Sequence, residues 1–171
     1  MKTTKRQRGH TFWALLISSA LFLSSCSGEN MQPSSEQPEH PYVFHLVQAT
    51  LWDAAVAANE VYYPPTYAAD GFTHGTSNPD KLLNVANHFY PDVPGDWYCL
   101  RMTVESLRAT GVETVFEGTA PVGDIQPDFE GADDELFPHI HGGIAPAAVL
   151  EAHAVIRDAD GKFLSIVNIA E

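Results

Sequence analysis

Three observations predict an α+β domain. Short apolar runs rich in β-branched and aromatic residues recur along the chain. Segments with helical apolar spacing lie between some of them. The two kinds do not alternate strictly, which disfavours a parallel βαβ sheet. Size and composition agree, because 171 residues at 44% hydrophobic and 18% charged suit one globular domain and not a disordered or fibrous chain.

Taken in order, Tyr42-Val43-Phe44-His45-Leu46-Val47 reads as a buried strand. Thr50 as N-cap, with Asp53 near the positive helix end, opens a helix to about Asn59 that turns Leu51, Ala55 and Ala58 to one side. An irregular stretch through Tyr62, Tyr63, Pro64 and Pro65 leads to Gly71-Phe72-Thr73-His74-Gly75-Thr76. A second helix begins at Ser77 or Asn78, tolerates Pro79 in its first turn and spaces Leu82, Val85, Ala86 and Phe89 helically, before Pro91 and Pro94 mark its end. Strands are expected at Asp96 to Val104, Glu113 to Phe116 and Ala152 to Arg157. Gly118 to Glu135, rich in Gly, Pro and Asp, reads as a long surface loop. Asp158-Ala159-Asp160-Gly161 turns the chain into a last strand, Phe163 to Val167.

The amino terminus carries a different signal. Lys2, Lys5, Arg6 and Arg8 precede an uncharged run from Thr11 to Leu23 that is shorter than the roughly 20 residues a spanning helix needs, the layout of a secretory signal peptide. Leu23-Ser24-Ser25-Cys26 resembles the lipobox of bacterial lipoproteins, which implies cleavage before Cys26 and acylation of its sulfur. The expected organisation is a signal peptide over 1–25, a lipidated cysteine with a flexible tether over 26–41, and one domain over 42–171. The tether from Ser27 to Pro41, with three prolines, three serines and three glutamates, has almost nothing to bury. Acyl chains hold a protein to a bilayer at about 0.8 kcal/mol per buried methylene, so the expected location is outside the cytoplasm, anchored in the bacterial envelope.

Cleavage before Cys26 leaves 22 acidic and 5 basic side chains, a formal charge of −17. A sequence-blind nucleic-acid binder is disfavoured, because it needs clustered Lys and Arg to displace counterions. With Cys26 acylated, Cys99 has no partner in the chain and is expected to be a buried, inert thiol, which excludes a disulfide-stapled scaffold.

Chemistry concentrates on histidines: His45 within an apolar strand, His74 between Thr73 and Gly75, and His139 with His141 in Phe137-Pro138-His139-Ile140-His141-Gly142-Gly143. Neutral imidazole donates at one nitrogen and accepts at the other, so it suits acid–base work and metal ligation. A lone histidine in an apolar strand is more often a satisfied core residue. His139 and His141 share one face if extended and form a possible chelating pair, although no Cys-x-x-Cys or His-Glu-x-x-His pattern accompanies them. Nucleophile-elbow, phosphate-loop and dinucleotide signatures are also missing from the sequence.

Four blocks in order resemble the family called domain of unknown function 952: Phe44-His45-Leu46; the run from Tyr63 through Pro64, Pro65 and Asp70 to His74; Val85-Ala86-Asn87-His88-Phe89-Tyr90; and Glu135-Leu136-Phe137-Pro138-His139-Ile140. The resemblance covers about Tyr42 to Val155. That family is similar in fold to ADP-ribosyltransferases and RNA phosphotransferases, which bind NAD or an ADP-ribosylated intermediate in a cleft of a split, curved β-sheet core with flanking helices. The resemblance therefore implies that His45 grips a nicotinamide ribose or amide, that His74 and Thr76 line the cleft, and that Glu135 or His139 stands near the third catalytic position. Tyr63 is expected to offer a stacking face, with His141 at the cleft mouth. The chain departs from the family pattern at Gly75-Thr76, where Leu or Cys followed by Ser is usual, and at His141, where an aromatic is usual.

Three functions follow as expectations. One is a lipid-anchored, non-catalytic module whose cleft binds a small nucleotide-like ligand or a partner. The second is a transferase or hydrolase handling NAD or ADP-ribose. The third is a metal-binding protein built on His139, His141 and another histidine. No cofactor is fixed by the residues themselves, and the oligomeric state is left open.

Overall fold

The computed structural model describes residues 40–169. The expected signal peptide, Cys26 and nearly all of the tether lie outside these residues.

The observed class is α+β with antiparallel sheets. β1 (Val43–Gln48) runs directly into α1 (Ala49–Ala58), and α2 (Tyr67–Asp70) precedes the short β2 (Thr73–His74). A 3-10 turn over Pro79–Lys81 opens α3 (Leu82–Phe89), with Asn78 as its cap accepting from the Asp80 N–H at 3.0 Å. β3 (Trp97–Met102), α4 (Val104–Ala109), β4 (Glu113–Glu117), β5 (Phe137–His141), β6 (Glu151–Arg157) and β7 (Phe163–Ile166) follow. Two sheets result, ordered β1-β3-β6-β7 and β2-β5-β4.

Both faces of β1 are buried, which is why it reads as a continuous apolar run. Val43 and Val47 pack on one side with Trp52, Tyr62, Leu100 and Met102. Phe44 and Leu46 pack on the other with Leu82, Ala86, Trp97 and Phe163. Cys99 lies in that second cluster, fully buried, and desolvation pushes its thiol up to about 12, so it stays protonated and inert at neutral pH.

The two sheets are stitched at one point. Phe44 exchanges both backbone hydrogen bonds with Thr76, N–H to O at 2.8 Å and O from N–H at 2.9 Å. Gly75 lies within this stitch because a side chain does not fit there: a Cβ would sit 2.9 Å from Pro138 Cγ and 3.0 Å from the Pro138 carbonyl oxygen. Beyond Thr76 the chain leaves β1 for Ser77 and α3, and the sheets part. That split creates the cleft described below.

Several expectations need correction. Gln48, still paired with Trp97, is the N-cap of α1, and Thr50 lies inside the first turn. The strand-to-helix junction is fixed by Ala49 N–H donating to Asp96 O at 2.8 Å, and this rotates Trp52 into the core while Leu51 remains 38% exposed. The strand expected to continue to Val104 stops at Met102. Thr103 and Ser106 form a reciprocal capping box, each side chain accepting from the other's backbone N–H at 3.0 Å, and start α4. β5 was not expected as a strand, because it carries Pro138 in its interior. Among the described residues no helix is long and apolar enough to cross a membrane.

Candidate functional site

Register places two of the histidines side by side. β2 and β5 pair His74 with His139, and β4 pairs Val115 with His139 from the other side. Their rings lie 5.9 Å apart at a near-perpendicular angle of 71°. Phe72, just before β2, stacks on the His139 ring at 4.0 Å and 19°. His45 arrives from the other sheet, sharing the Val43 and Val47 side of β1 by strand alternation, and its Nδ1 lies 2.7 Å from the His74 carbonyl oxygen.

Each ring is held by a partner. A carbonyl only accepts, so the contact at His45 fixes a protonated Nδ1 and leaves Nε2 as the acceptor. Burial lowers the His45 pKa from 6.5 to about 4; the bond to His74 opposes the shift without cancelling it. His74 directs Nε2 at Asp70 Oδ2 at 3.0 Å, and Asp70 also accepts from the Gly123 N–H at 3.1 Å, which ties the carboxylate to the long loop. Desolvation lowers the His74 pKa in spite of Asp70, which pulls it up. His139 sets Nδ1 3.0 Å from Glu117 Oε2, a carboxylate two residues beyond Val115 on the same face of β4. The two imidazole–carboxylate pairs have the arrangement in which an acidic group orients a general acid or base.

All three histidines line one cleft, which opens to solvent. Its walls are apolar and aromatic, including Phe89, Tyr90, Phe129 and Phe137, and the long loop contributes Thr119, Ala120, Val122 and Pro127. Three tethers hold that loop over the cavity. Besides Asp70 and Gly123, His88 Nε2 bonds the Gln126 carbonyl at 2.6 Å, and Lys81 bonds the Gly131 carbonyl. A second cavity of about 280 Å³ adjoins the first, shares His45, Leu46, Tyr90 and Val122 with it, and adds Tyr62, Pro64, Thr66 and Trp97.

The structure thus brings His45, His74, Thr76 and His139 to one lining and leaves three other expected residues off it. Glu135 turns to Lys81 Nζ and Asn78 Nδ2, both at 3.3 Å. Tyr63 is half exposed against Tyr67, with ring centroids 4.8 Å apart. His141 is exposed at the end of β5, its ring 6.1 Å from Phe72. Arg101 pairs with Glu151 at 2.6 Å and Arg108 with Glu105 at 3.7 Å, and neither lines either cavity. Among the described residues no three His, Cys, Asp or Glu side chains gather as a metal-holding group. Asp70 and Glu117 are the carboxylates that sequence reasoning missed. The four-residue spacing from Asp70 to His74 was a signal for the first, whereas Glu117 needs the β4–β5 register.

Fold and cleft together define a small α+β domain whose two antiparallel sheets part at a histidine-lined split. The chain belongs to the family described as Protein of unknown function (DUF952), which matches residues 46–152. In fold it is similar to the X-ray crystal structure of protein CC0527 from Caulobacter crescentus, with 18% identity, a TM-score of 0.54, and coverage of 72% of this chain and 93% of that one. A double mutant of the same protein matches equally, with a TM-score of 0.54. No curated protein matches the chain.

Proposed function

We propose that this protein is a lipid-anchored envelope module whose split-sheet cleft, of the ADP-ribosyltransferase-like kind, binds a small ligand against His45, His74 and His139. The observation that carries this reading is convergence: three histidines from three separate segments line one cavity, each with one nitrogen held by a fixed partner. Core histidines would instead be scattered, with both nitrogens satisfied locally. Here the Nε2 atoms of His45 and His139 are buried with no partner. An unmade hydrogen bond on a buried polar atom costs about 1–3 kcal/mol, which a ligand donor would recover.

The imidazole–carboxylate pairs Asp70–His74 and Glu117–His139 favour a second reading, a transferase or hydrolase acting on NAD or ADP-ribose, with His139 polarising a ribose hydroxyl. The binding reading stands first because the net charge works against attracting a dinucleotide's two phosphates and no cationic side chain lines the described cleft.

A thermal-shift screen of the domain against NAD, ADP-ribose, nucleotides, nucleosides and divalent metals tests the reading. Ligand at about 100 times its dissociation constant stabilises a fold by about 2.7 kcal/mol, so an upward shift of several degrees is expected, and it should vanish in His45→Ala. Equal shifts in the wild type and His45→Ala would contradict the cleft assignment. Anchoring is tested separately: Cys26→Ser should release the full-length protein from membranes, and a variant that still sediments with them after a high-salt wash would contradict it.

A further inference from the structure

We infer that the ligand of this cleft is an uncharged, nucleoside-like molecule: a flat heterocycle bearing an amino group, attached to a hydroxylated group without phosphate. The inference rests on the cleft reading above and adds the chemical class.

The split leaves an edge of β1 facing the cleft. In an antiparallel ladder alternate residues point their N–H and C=O to opposite sides. Phe44 points both groups at Thr76, so Leu46, two residues on, points its own the same way, where no described strand lies opposite. Leu46 lines both cavities. A neighbouring donor and acceptor on a strand edge match a heterocycle edge that carries an amino group beside a ring nitrogen. His45 is held as an acceptor, and His139 turns its Nδ1 to Glu117. Both have a buried, unpaired Nε2, and that of His45 calls for a ligand N–H or O–H group. Phe89, Tyr90, Phe129 and Phe137 supply flat apolar walls for a ring. In the second cavity Trp97 contributes a buried indole N–H without a partner, which suits a hydroxyl oxygen.

Charge decides against a phosphate. The sixteen residues lining the first cavity are, histidines apart, uncharged, and the carboxylates of Asp70 and Glu117 stand directly behind two of those histidines. The potential there is negative, and a phosphate entering it would be repelled without compensation.

Calorimetry with three matched probes, adenosine, purine riboside and AMP, tests the class. Adenosine should bind; purine riboside, which lacks only the amino group, and AMP, which adds only the phosphate, should each bind about tenfold more weakly. Ala120→Trp, which places bulk at the partly exposed loop wall of the first cavity, should abolish adenosine binding while the fold persists. AMP or purine riboside binding as tightly as adenosine, adenosine binding unchanged in Ala120→Trp, or no heat with adenosine overturns the inference. A thermal shift with NAD or ADP-ribose that needs His45 would then still uphold the cleft, whereas silence across the whole screen would remove both.

Discussion

Acidification from pH 7 to pH 4 should cost the folded domain on the order of 3 kcal/mol through His45 alone. Burial lowers this imidazole from 6.5 to about 4, so between these values the unfolded chain binds a proton that the folded one does not. Stability therefore falls as pH drops through 6.5 and goes on falling until about pH 4, where the folded state takes up the proton as well. At 1.36 kcal/mol for each tenfold change in proton affinity, the gap gives the quoted loss. His74, lowered by desolvation, adds to the loss in the same direction. Denaturant unfolding of the domain at a series of pH values measures it. His45→Asn keeps a donor for the His74 carbonyl at the Nδ1 position but does not titrate, so its profile should be flatter by most of that amount. Identical profiles in the two proteins would show that His45 is not held neutral.

Arg157→Ala should destabilise the domain by roughly 3 kcal/mol, the range for breaking a charged hydrogen-bond network. Arg157 stands at the end of β6, where the β6–β7 register shifts. Its guanidinium donates to five backbone carbonyls, those of Tyr90, Pro91, Val93, Gly95 and Gly161, over distances of 2.6 to 3.4 Å. It also covers the Phe163 ring at 4.3 Å. The chain after α3, rich in proline and glycine, has no ladder of its own to satisfy those carbonyls, and one planar fork does so. Gly161 accommodates the clamp with φ of +90°, where a Cβ would meet the Pro91 carbonyl. Lysine has a single ammonium and cannot span the set, so Arg157→Lys should recover less than half of the loss. Tyr90 and Val93 wall the second cavity, so both variants should also weaken ligand binding there. A loss below about 1 kcal/mol, measured by denaturant unfolding, would contradict the clamp.

Much of this was readable in the sequence, and what was not has physical reasons. β1, α3 and β6 follow from runs whose burial matches their periodicity, and β7 from an apolar run after a turn. α4 was hidden because Met102 and Val104 extend the preceding apolar strand, and the Thr103–Ser106 box that starts the helix is a local signal easily outweighed by that run. β5 was hidden by Pro138, which lacks a donor for the ladder, although its carbonyl still accepts from the Gly75 N–H. Asp70 stands only four residues before His74, a spacing readable in the sequence, whereas Glu117 meets His139 across the β4–β5 register, which no local pattern encodes. Glu135, Tyr63 and His141 stand within a few residues of the cleft in sequence, but Lys81, Tyr67 and the exposed end of β5 hold them away from it.

On the proposed reading, His45, held neutral with Nε2 open, shares one ligand with His74 and His139. Ring-nitrogen NMR of a histidine-labelled domain tests it most directly. His45 should show a protonated Nδ1 and a bare Nε2 down to about pH 4, and adding adenosine should move the ring-nitrogen signals of His45, His74 and His139 together along one binding curve. A His45 ring that titrates near 6.5, or a ligand that bound while leaving these three rings unmoved, would contradict it.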